Sequence, residues 1–444
     1  DVLDRSNAGI AALNDRPQVQ IALLSTLARS YRSLGELDKA AEAASLCASK
    51  TAAVFGPDSY EAMSARSLLG SVRLEQNRLA EAESIARATL AWLREHPSHP
   101  MATEVESAKA NSELARIHFE SGRSQEALPL ARRAFDDLTR LKGPTFTATM
   151  QAGDVLSTIL SQRGDFAESE SVVRLNLAAR ESVYGKDSLT AAYTMTTLAN
   201  ALQRQGKNEE AIALLTRILA IRRAGLAPDH PRLHLSMMNL GIALVGAGRQ
   251  AEALPVLQEG FQANRARLGE DHPRTLAAMG NVAYCLEDLG GPQRLEEAER
   301  LFRRSVELGR EQLARQGQTA DSNDFCIRLN NLGALLLKAG KLREADAVFT
   351  EAIAAARERM APDHYYMAIF KSNRGRALSR LERFTEAEPL LLESHAVIQK
   401  QFGADHPRSH RSAWRAAELY AAWNSPGEAA EWRKRFPDGY RDDR

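Results

Sequence analysis

The sequence predicts an all-α protein, an α-solenoid of about ten antiparallel helix pairs. Three observations predict it. A small residue recurs about every 42 positions, glycine or asparagine follows it seven residues later, and a second small residue follows it twelve residues later. Because the recurrence covers nearly the whole 444-residue chain, we expect similar hairpins that each pack on their neighbours.

The first small residue of each repeat, here called the anchor, falls within the first helix of the hairpin. Successive anchors are 42 residues apart, except for one interval of 45 and one of 50. Small residues at the anchor and twelve positions later let the two helices approach closely. The ten anchors are Ala28, Gly70, Ala115, Ser157, Ala199, Gly241, Ala283, Gly333, Gly375 and Ala417.

The position seven residues after the anchor predicts the end of each first helix. Nine of the ten residues there are glycine or asparagine, which adopt the left-handed conformation that ends a helix most readily. Glu382 is the exception. A glutamate stands eleven residues after the anchor in most repeats, where a carboxylate complements the positive end of the second helix.

These features resemble the tetratricopeptide repeat, a family of stacked helix–turn–helix units. The 42-residue period and the linkers Gly269-Glu-Asp-His-Pro273 and Gly403-Ala-Asp-His-Pro407 resemble those of the kinesin light chain and its bacterial relatives. The family's usual period is about 34 residues, so each helix gains about one turn. The resemblance implies a right-handed superhelix with a concave groove.

The chain divides into three expected parts: a lead helix over 1–16, a single array of ten repeats over 17–436, and a charged tail over 437–444. The opening DVLDRSNAGI, with DRPQVQIALLSTLARSYRSLGELDKAAEA after it, resembles the repeat regions that follow the kinase domain in bacterial Hanks-type serine/threonine kinases. None of the kinase's own motifs is present. That resemblance implies that this chain, which starts at Asp1, is the sensing or docking arm of a longer signalling protein.

Composition argues against two classes of partner. Lysine plus arginine number 58 against 57 aspartate plus glutamate, so there is no overall field to attract nucleic acid or anionic lipid. No apolar run approaches the ~18 residues that span a bilayer, so we expect no membrane insertion by this chain. The compartment stays open: cytoplasmic, or periplasmic if the chain is attached to a membrane-spanning kinase.

The cysteines and histidines do not indicate a redox or metal-binding site. Cys47, Cys285 and Cys326 fall inside helical repeats, where a buried small apolar role is favoured over a redox or ligand role. His230 stands four residues before His234, the spacing of two metal-binding imidazoles.

The first histidine of that pair belongs to a repeated Asp-His-Pro linker, as does His406 in the similar pair with His410. No third ligand lies beside either pair. We therefore favour a linker role, with the proline opening the next helix. No catalytic residue, metal or cofactor is predicted.

A stripe on the first helices provides the candidate binding site. Its positions lie six and two residues before the anchor and one and five residues after it, and in this family the corresponding stripe lines the concave groove. The position two before the anchor is asparagine in four successive repeats: Asn239, Asn281, Asn331 and Asn373. Asparagine is a mediocre helix former, but its amide can pair with the main chain of an extended peptide.

Basic residues share this stripe and predict a positive pocket over the last three repeats. They would favour an acidic peptide or a terminal carboxylate. Peptide-gripping members of the family similarly combine asparagines on this helix face with nearby basic residues. The basic candidates are Lys338, Arg376, Arg380, Arg411 and Arg415, and the remaining candidates on the stripe are Asn200, Arg204 and Tyr284.

Two alternatives stay open beside peptide binding. The asparagines could only bridge neighbouring repeats, with the basic residues forming a solvated face. The array could also be structural and form homo-oligomers, through an exposed end or through the tenth repeat, which holds Trp414, Trp423 and Trp432. An enzyme ranks third, because no nucleophile–base pair stands apart from the repeat pattern.

Overall fold

The computed structural model describes residues 10, 15–316, 322–358, 360–437 and 440. Within these residues the chain forms twenty α-helices, α1 to α20, which pair into ten consecutive helix hairpins. The all-α repeat fold is therefore confirmed. The predicted lead helix over 1–16 lies largely outside the described residues, as does most of the tail beyond Pro437.

The odd-numbered helices open the hairpins and the even-numbered helices close them. In order they are α1 Pro17–Ser33, α2 Leu37–Phe55, α3 Tyr60–Glu75, α4 Leu79–Glu95, α5 Glu104–Glu120, α6 Ser124–Lys142, α7 Thr147–Arg163, α8 Phe166–Tyr184, α9 Leu189–Arg204, α10 Asn208–Gly225, α11 Pro231–Gly246, α12 Gln250–Leu268, α13 Pro273–Leu289, α14 Pro292–Gln316, α15 Ser322–Lys338, α16 Leu342–Arg357, α17 Tyr365–Arg380, α18 Phe384–Phe402, α19 Pro407–Ala422 and α20 Pro426–Arg433.

The chain divides into two compact units, Asp1–Gly225 and Leu226–Arg444. The N-terminal unit holds hairpins one to five, and the C-terminal unit holds hairpins six to ten. In each unit every hairpin packs on the next one along the chain. The single continuous array over 17–436 stays a prediction.

The ten hairpin turns share a positive φ at one position, although Gly290 differs in ψ, which is −173° against 6° at Gly164. The residue seven after the anchor has a positive φ in every hairpin, from 59° at Glu382 to 88° at Gly164. Asn77 and Asn424 adopt the same conformation. The turn position thus imposes the left-handed conformation even where the residue is a glutamate, for which it is strained.

The anchors lie where the two helices of a hairpin touch. All ten are buried. A β-carbon placed on Gly333 would come within 2.6 Å of the Phe349 ring, and one on Gly375 within 2.7 Å of Leu391. The larger side chain of the second helix thus fills the space that the anchor leaves, as the repeat of small residues predicts.

Three Asp-His-Pro linkers, and the Asp-His-Tyr linker at 363–365, begin the next helix through their histidines. Each histidine is the N-cap, and its Nδ1 accepts a hydrogen bond from the backbone N–H two residues later at 3.1 to 3.2 Å. This satisfies one of the free N–H groups of the first turn. The histidines are His230, His272, His364 and His406.

The glutamates eleven residues after the anchor have a role that the sequence reading missed. Glu168 accepts a hydrogen bond from Arg132 at 2.7 Å, and Glu344 accepts one from Arg303 at 2.6 Å. Each arginine belongs to the second helix of the preceding hairpin. The carboxylate therefore connects neighbouring hairpins besides lying in the first turn of its own helix, although exposed pairs of this kind contribute little stability each.

The tryptophans of the last hairpin pack on their own surroundings. Trp423 stacks on Phe384 at a centroid distance of 5.7 Å and on Tyr420 at 6.4 Å. Trp432 meets His395 edge to face at 4.9 Å. All three tryptophans of this hairpin are half-buried, so they cover part of the end of the core. Oligomerisation through this hairpin stays a prediction.

The three cysteines are buried thiols, as the apolar interpretation predicts. Burial raises the pKa of Cys47 and raises the pKa of Cys285 to about 11. Since the thiolate is the reactive form, both side chains are poor nucleophiles.

Candidate interaction surface

The structure places the stripe of the C-terminal unit on five successive first helices, α11, α13, α15, α17 and α19. Asn239, Asn281 and Asn331 are half-buried. Within the described residues, no hydrogen-bonding partner meets any of these three amides. Their polar groups are therefore available to a ligand, because a half-buried amide gains by pairing.

Asn373 does not fit the peptide-binding role predicted for it. It is only 9% exposed. Its Nδ2 donates to Asn330 Oδ1 at 2.8 Å, and its Oδ1 accepts from Arg415 Nη1 at 3.1 Å. Asn373 bridges three neighbouring hairpins, because its partners belong to the first helices on either side. For this residue the structure supports the bridging alternative.

The predicted basic pocket is largely committed to contacts within the chain. Arg380 Nη1 donates to the carbonyl of Leu337 at 2.7 Å, and Lys338 Nζ lies 3.4 Å from Glu287 Oε1. Arg415 also donates to Ser372. These contacts join each basic residue to the preceding hairpin.

Arg376 and Arg411 are half-buried and have contacts within the chain as well. Lys338 and Arg380 remain exposed at one end of the stripe. They are the predicted basic residues best placed to meet a ligand from solvent.

Exposed apolar side chains beside the free amides are the feature that sequence reasoning missed. Leu235 is 53% exposed and Ile242 49% exposed, and Tyr284, which the stripe predicted, is 42% exposed. Leu235, Asn239 and Ile242 are spaced i, i+4 and i+7 on α11, so they share one face. Leu235 and Ile242 stand six residues before and one residue after the anchor Gly241, so both lie at stripe positions. The stripe pattern could therefore have identified them if apolar residues had been counted as candidates.

Asn200 and Arg204 belong to the N-terminal unit, apart from the other candidates. Both are exposed near the end of α9. They line an open cleft with Ser161, Gln162 and Phe166 from the preceding hairpin. Their surroundings are therefore those of the N-terminal unit.

The histidine pair His230 and His234 has contacts within the chain. Among the described residues, no group of three or more histidine, cysteine, aspartate or glutamate side chains could hold a metal ion. His234 Nε2 lies 3.2 Å from the Pro228 carbonyl, while His230 Nδ1 serves as a helix cap. The paired histidines thus have roles in the linker and the helix that follows.

Models of the tetratricopeptide repeat match this chain over residues 146–224, 190–266, 235–311 and 366–435, and further models with that description match 327–366, 25–100 and 110–133. The chain belongs to the tetratricopeptide repeat family. Tetratricopeptide repeats form scaffolds for protein–protein interaction, and their fold is typically non-catalytic.

Three solved structures are similar to this tetratricopeptide repeat protein. One contains the nearly identical repeats of a putative kinesin light chain from Podosopora anserina: 22% identity over 48% of this chain and 98% of that one, with a TM-score of 0.43. Another is BtubC from P. vanneervenii, with 20% identity over 58% of this chain and 94% of that one, and a TM-score of 0.43. The third is the apo form of RapI, with 11% identity over 84% of this chain and 96% of that one, and a TM-score of 0.62.

No curated protein matches the tetratricopeptide repeat chain in sequence. Of the helices in the described ranges, none has both the length and the apolar character to cross a membrane.

Proposed function

We propose that the stripe of the C-terminal unit binds an extended peptide segment of a partner protein. The observation that carries this proposal is the alternation of free amides and exposed apolar side chains on α11 and α13. Leu235 and Ile242 flank Asn239, and Tyr284 lies three residues after Asn281. The amides can pair with peptide main chain, while apolar peptide side chains cover the leucine, isoleucine and tyrosine.

Helix spacing sets the length of peptide that fits. Packed helices lie about 8–10 Å apart, and an extended chain advances about 3.3 Å per residue. Each first helix therefore meets about three peptide residues, and the segment from α11 to α15 accommodates about nine. A ligand with apolar side chains at one end suits this surface.

Charge suggests the chemistry at the other end of the ligand. Lys338 and Arg380 are exposed on α15 and α17, beyond the three free amides. An acidic side chain or a terminal carboxylate would pair with them. Since Arg380 already donates to the Leu337 carbonyl, this end contributes selectivity more than affinity.

Binding of a display-selected peptide to the full chain tests the proposal. Asn239→Ala combined with Asn281→Ala should weaken binding at least tenfold, because each removed amide loses a hydrogen bond to the peptide. Gln262→Ala is the matched control, since Gln262 is an exposed amide on the second helix of the same hairpin as Asn239. Equal affinities for the double variant and the control would remove the assigned surface.

A more specific form of this proposal is that the chain is the docking arm of a bacterial serine/threonine kinase. It is supported only by the likeness of the first residues to the repeat regions that follow such kinases. The coding sequence upstream of Asp1 tests it: a kinase domain there would support an adaptor arm, and a membrane-spanning segment between the two would place the arm outside the cytoplasm. An upstream sequence without a kinase would refute it.

A further inference from the structure

A cavity of ≈ 610 Å³ lies on the first helices of the N-terminal unit, separate from the proposed peptide stripe. Residues of α1, α3, α5, α7 and α9 line it. The volume falls within the range of small-ligand and side-chain binding sites, about 300–1,000 Å³. The apolar part of the wall includes Phe119, Val155 and Tyr193, and Tyr193 is 51% exposed.

Glu113 is the central charged group of this cavity. It stands two residues before its anchor, the position that is asparagine in four repeats of the C-terminal unit. Its side chain is half-buried, and Oε1 accepts a hydrogen bond from Ser71 Oγ at 2.6 Å. Burial raises the pKa of Glu113, and the hydrogen bond from Ser71 and the charges of Arg116 and Arg32 offset that effect only in part. The charged carboxylate is thus incompletely compensated.

Of the other three carboxylates in the cavity wall, two have their own cations, and the third, Glu120, is exposed to solvent. Glu75 lies 3.5 Å from Arg32. Asp154 forms a paired contact with Arg180 at 2.5 Å, and that arginine is itself buried. In the described part of the chain, no lysine, arginine or histidine lies within salt-bridge distance of Glu113. Among the half-buried carboxylates of this wall, Glu113 is therefore the one that a cationic ligand would complete.

A smaller cavity continues from the same point. It has a volume of ≈ 190 Å³, and Lys109 and Glu113 line both cavities. Its walls include Met63, Ile85 and Leu93. A carboxylate in the wall shared with a small, partly apolar cavity suits a side chain with an aliphatic stem and a charged end.

We propose that the N-terminal unit holds a second binding site, for a peptide segment with one lysine or arginine side chain that pairs with Glu113. The stem of that side chain packs against the apolar walls, and its charged end meets the carboxylate. Arg116 also lines the cavity, and its charge disfavours a second basic side chain beside the first. This site is independent of the proposed stripe in the C-terminal unit.

The test uses the full chain and a display library of random twelve-residue peptides as the probe. The wild-type protein should enrich peptides with a single lysine or arginine flanked by uncharged residues. Glu113→Gln should lose this enrichment and bind the best such peptide at least tenfold more weakly. The Asn239→Ala, Asn281→Ala double variant should keep it, which separates this site from the stripe.

Two further measurements keep the result interpretable. The melting temperature of Glu113→Gln should equal or exceed that of the wild type, because the substitution removes an incompletely compensated charge. Hydrogen exchange of the wild type with the best peptide should show added protection in α3 and α5. Absence of basic enrichment, equal enrichment by Glu113→Gln, or protection confined to the C-terminal unit would each overturn the proposal.

Discussion

Glu382→Gly should stabilise the ninth hairpin, because Glu382 holds a left-handed backbone with a φ of 59°. A left-handed residue other than glycine costs about 1–2 kcal/mol, whereas glycine's greater freedom in the unfolded chain costs about 0.5–1 kcal/mol. The difference is a gain of about 0.5–1 kcal/mol. The exposed glutamate side chain has no partner in the described residues, so no contact is lost.

The reverse change at the preceding turn is the matched control. Gly340 has the same conformation, with a φ of 76°. In both turns the next residue's N–H donates to a carbonyl five residues earlier, at 2.9 Å. Gly340→Glu should therefore destabilise by about the amount that Glu382→Gly stabilises.

Urea unfolding of the full chain, followed by circular dichroism, measures both effects, and amide exchange in α17 and α18 localises the first. An unchanged or lower midpoint for Glu382→Gly would refute the reasoning. So would a Gly340→Glu variant as stable as the wild type.

Three further changes have defined outcomes. Gly333→Ala should destabilise by up to about 2 kcal/mol in urea unfolding, because overpacking against Phe349 exceeds the helix-propensity gain of about 1 kcal/mol. Burial lowers the pKa of His395 to about 4, so this histidine is neutral in the folded chain. The free energy of unfolding should fall by about 3 kcal/mol as the pH drops from about 6.5 towards 4, because the unfolded chain binds the proton first. His395→Gln should remove this pH dependence, which Trp432 fluorescence can follow. Arg132→Ala should change the free energy of unfolding by less than about 1 kcal/mol, and this change should be smaller at high salt.

The sequence predicted the fold because the same positions recur and each recurrence has a physical reason. Gly333 and the other anchors mark close helix contacts, and the turn position predicts a left-handed residue. Glu382 also adopts a positive φ at that position, although glutamate by itself favours a negative φ. Repeated packing therefore overrides the local preference of one residue.

The candidate site was less predictable, because a position on a helix does not reveal its partners. Asn373 and Asn239 occupy equivalent positions, yet only Asn373 is paired, since Arg415 and Asn330 reach it from adjacent hairpins. The exposure of Leu235 was hidden for a related reason: an apolar residue in a periodic pattern is ordinarily assigned to the core. Only the side-chain packing in the folded chain distinguishes a paired asparagine from a free one, or an exposed leucine from a buried one.

Photo-crosslinking tests the central claim, that the stripe of the C-terminal unit holds a peptide. A photoreactive residue in place of Ile242, which is 49% exposed on the stripe, should crosslink a display-selected peptide. The same photoreactive residue in place of Gln262, on the second helix of that hairpin, should not crosslink it. Equal crosslinking at both positions, or none at Ile242 with a peptide that binds the chain, would contradict the account.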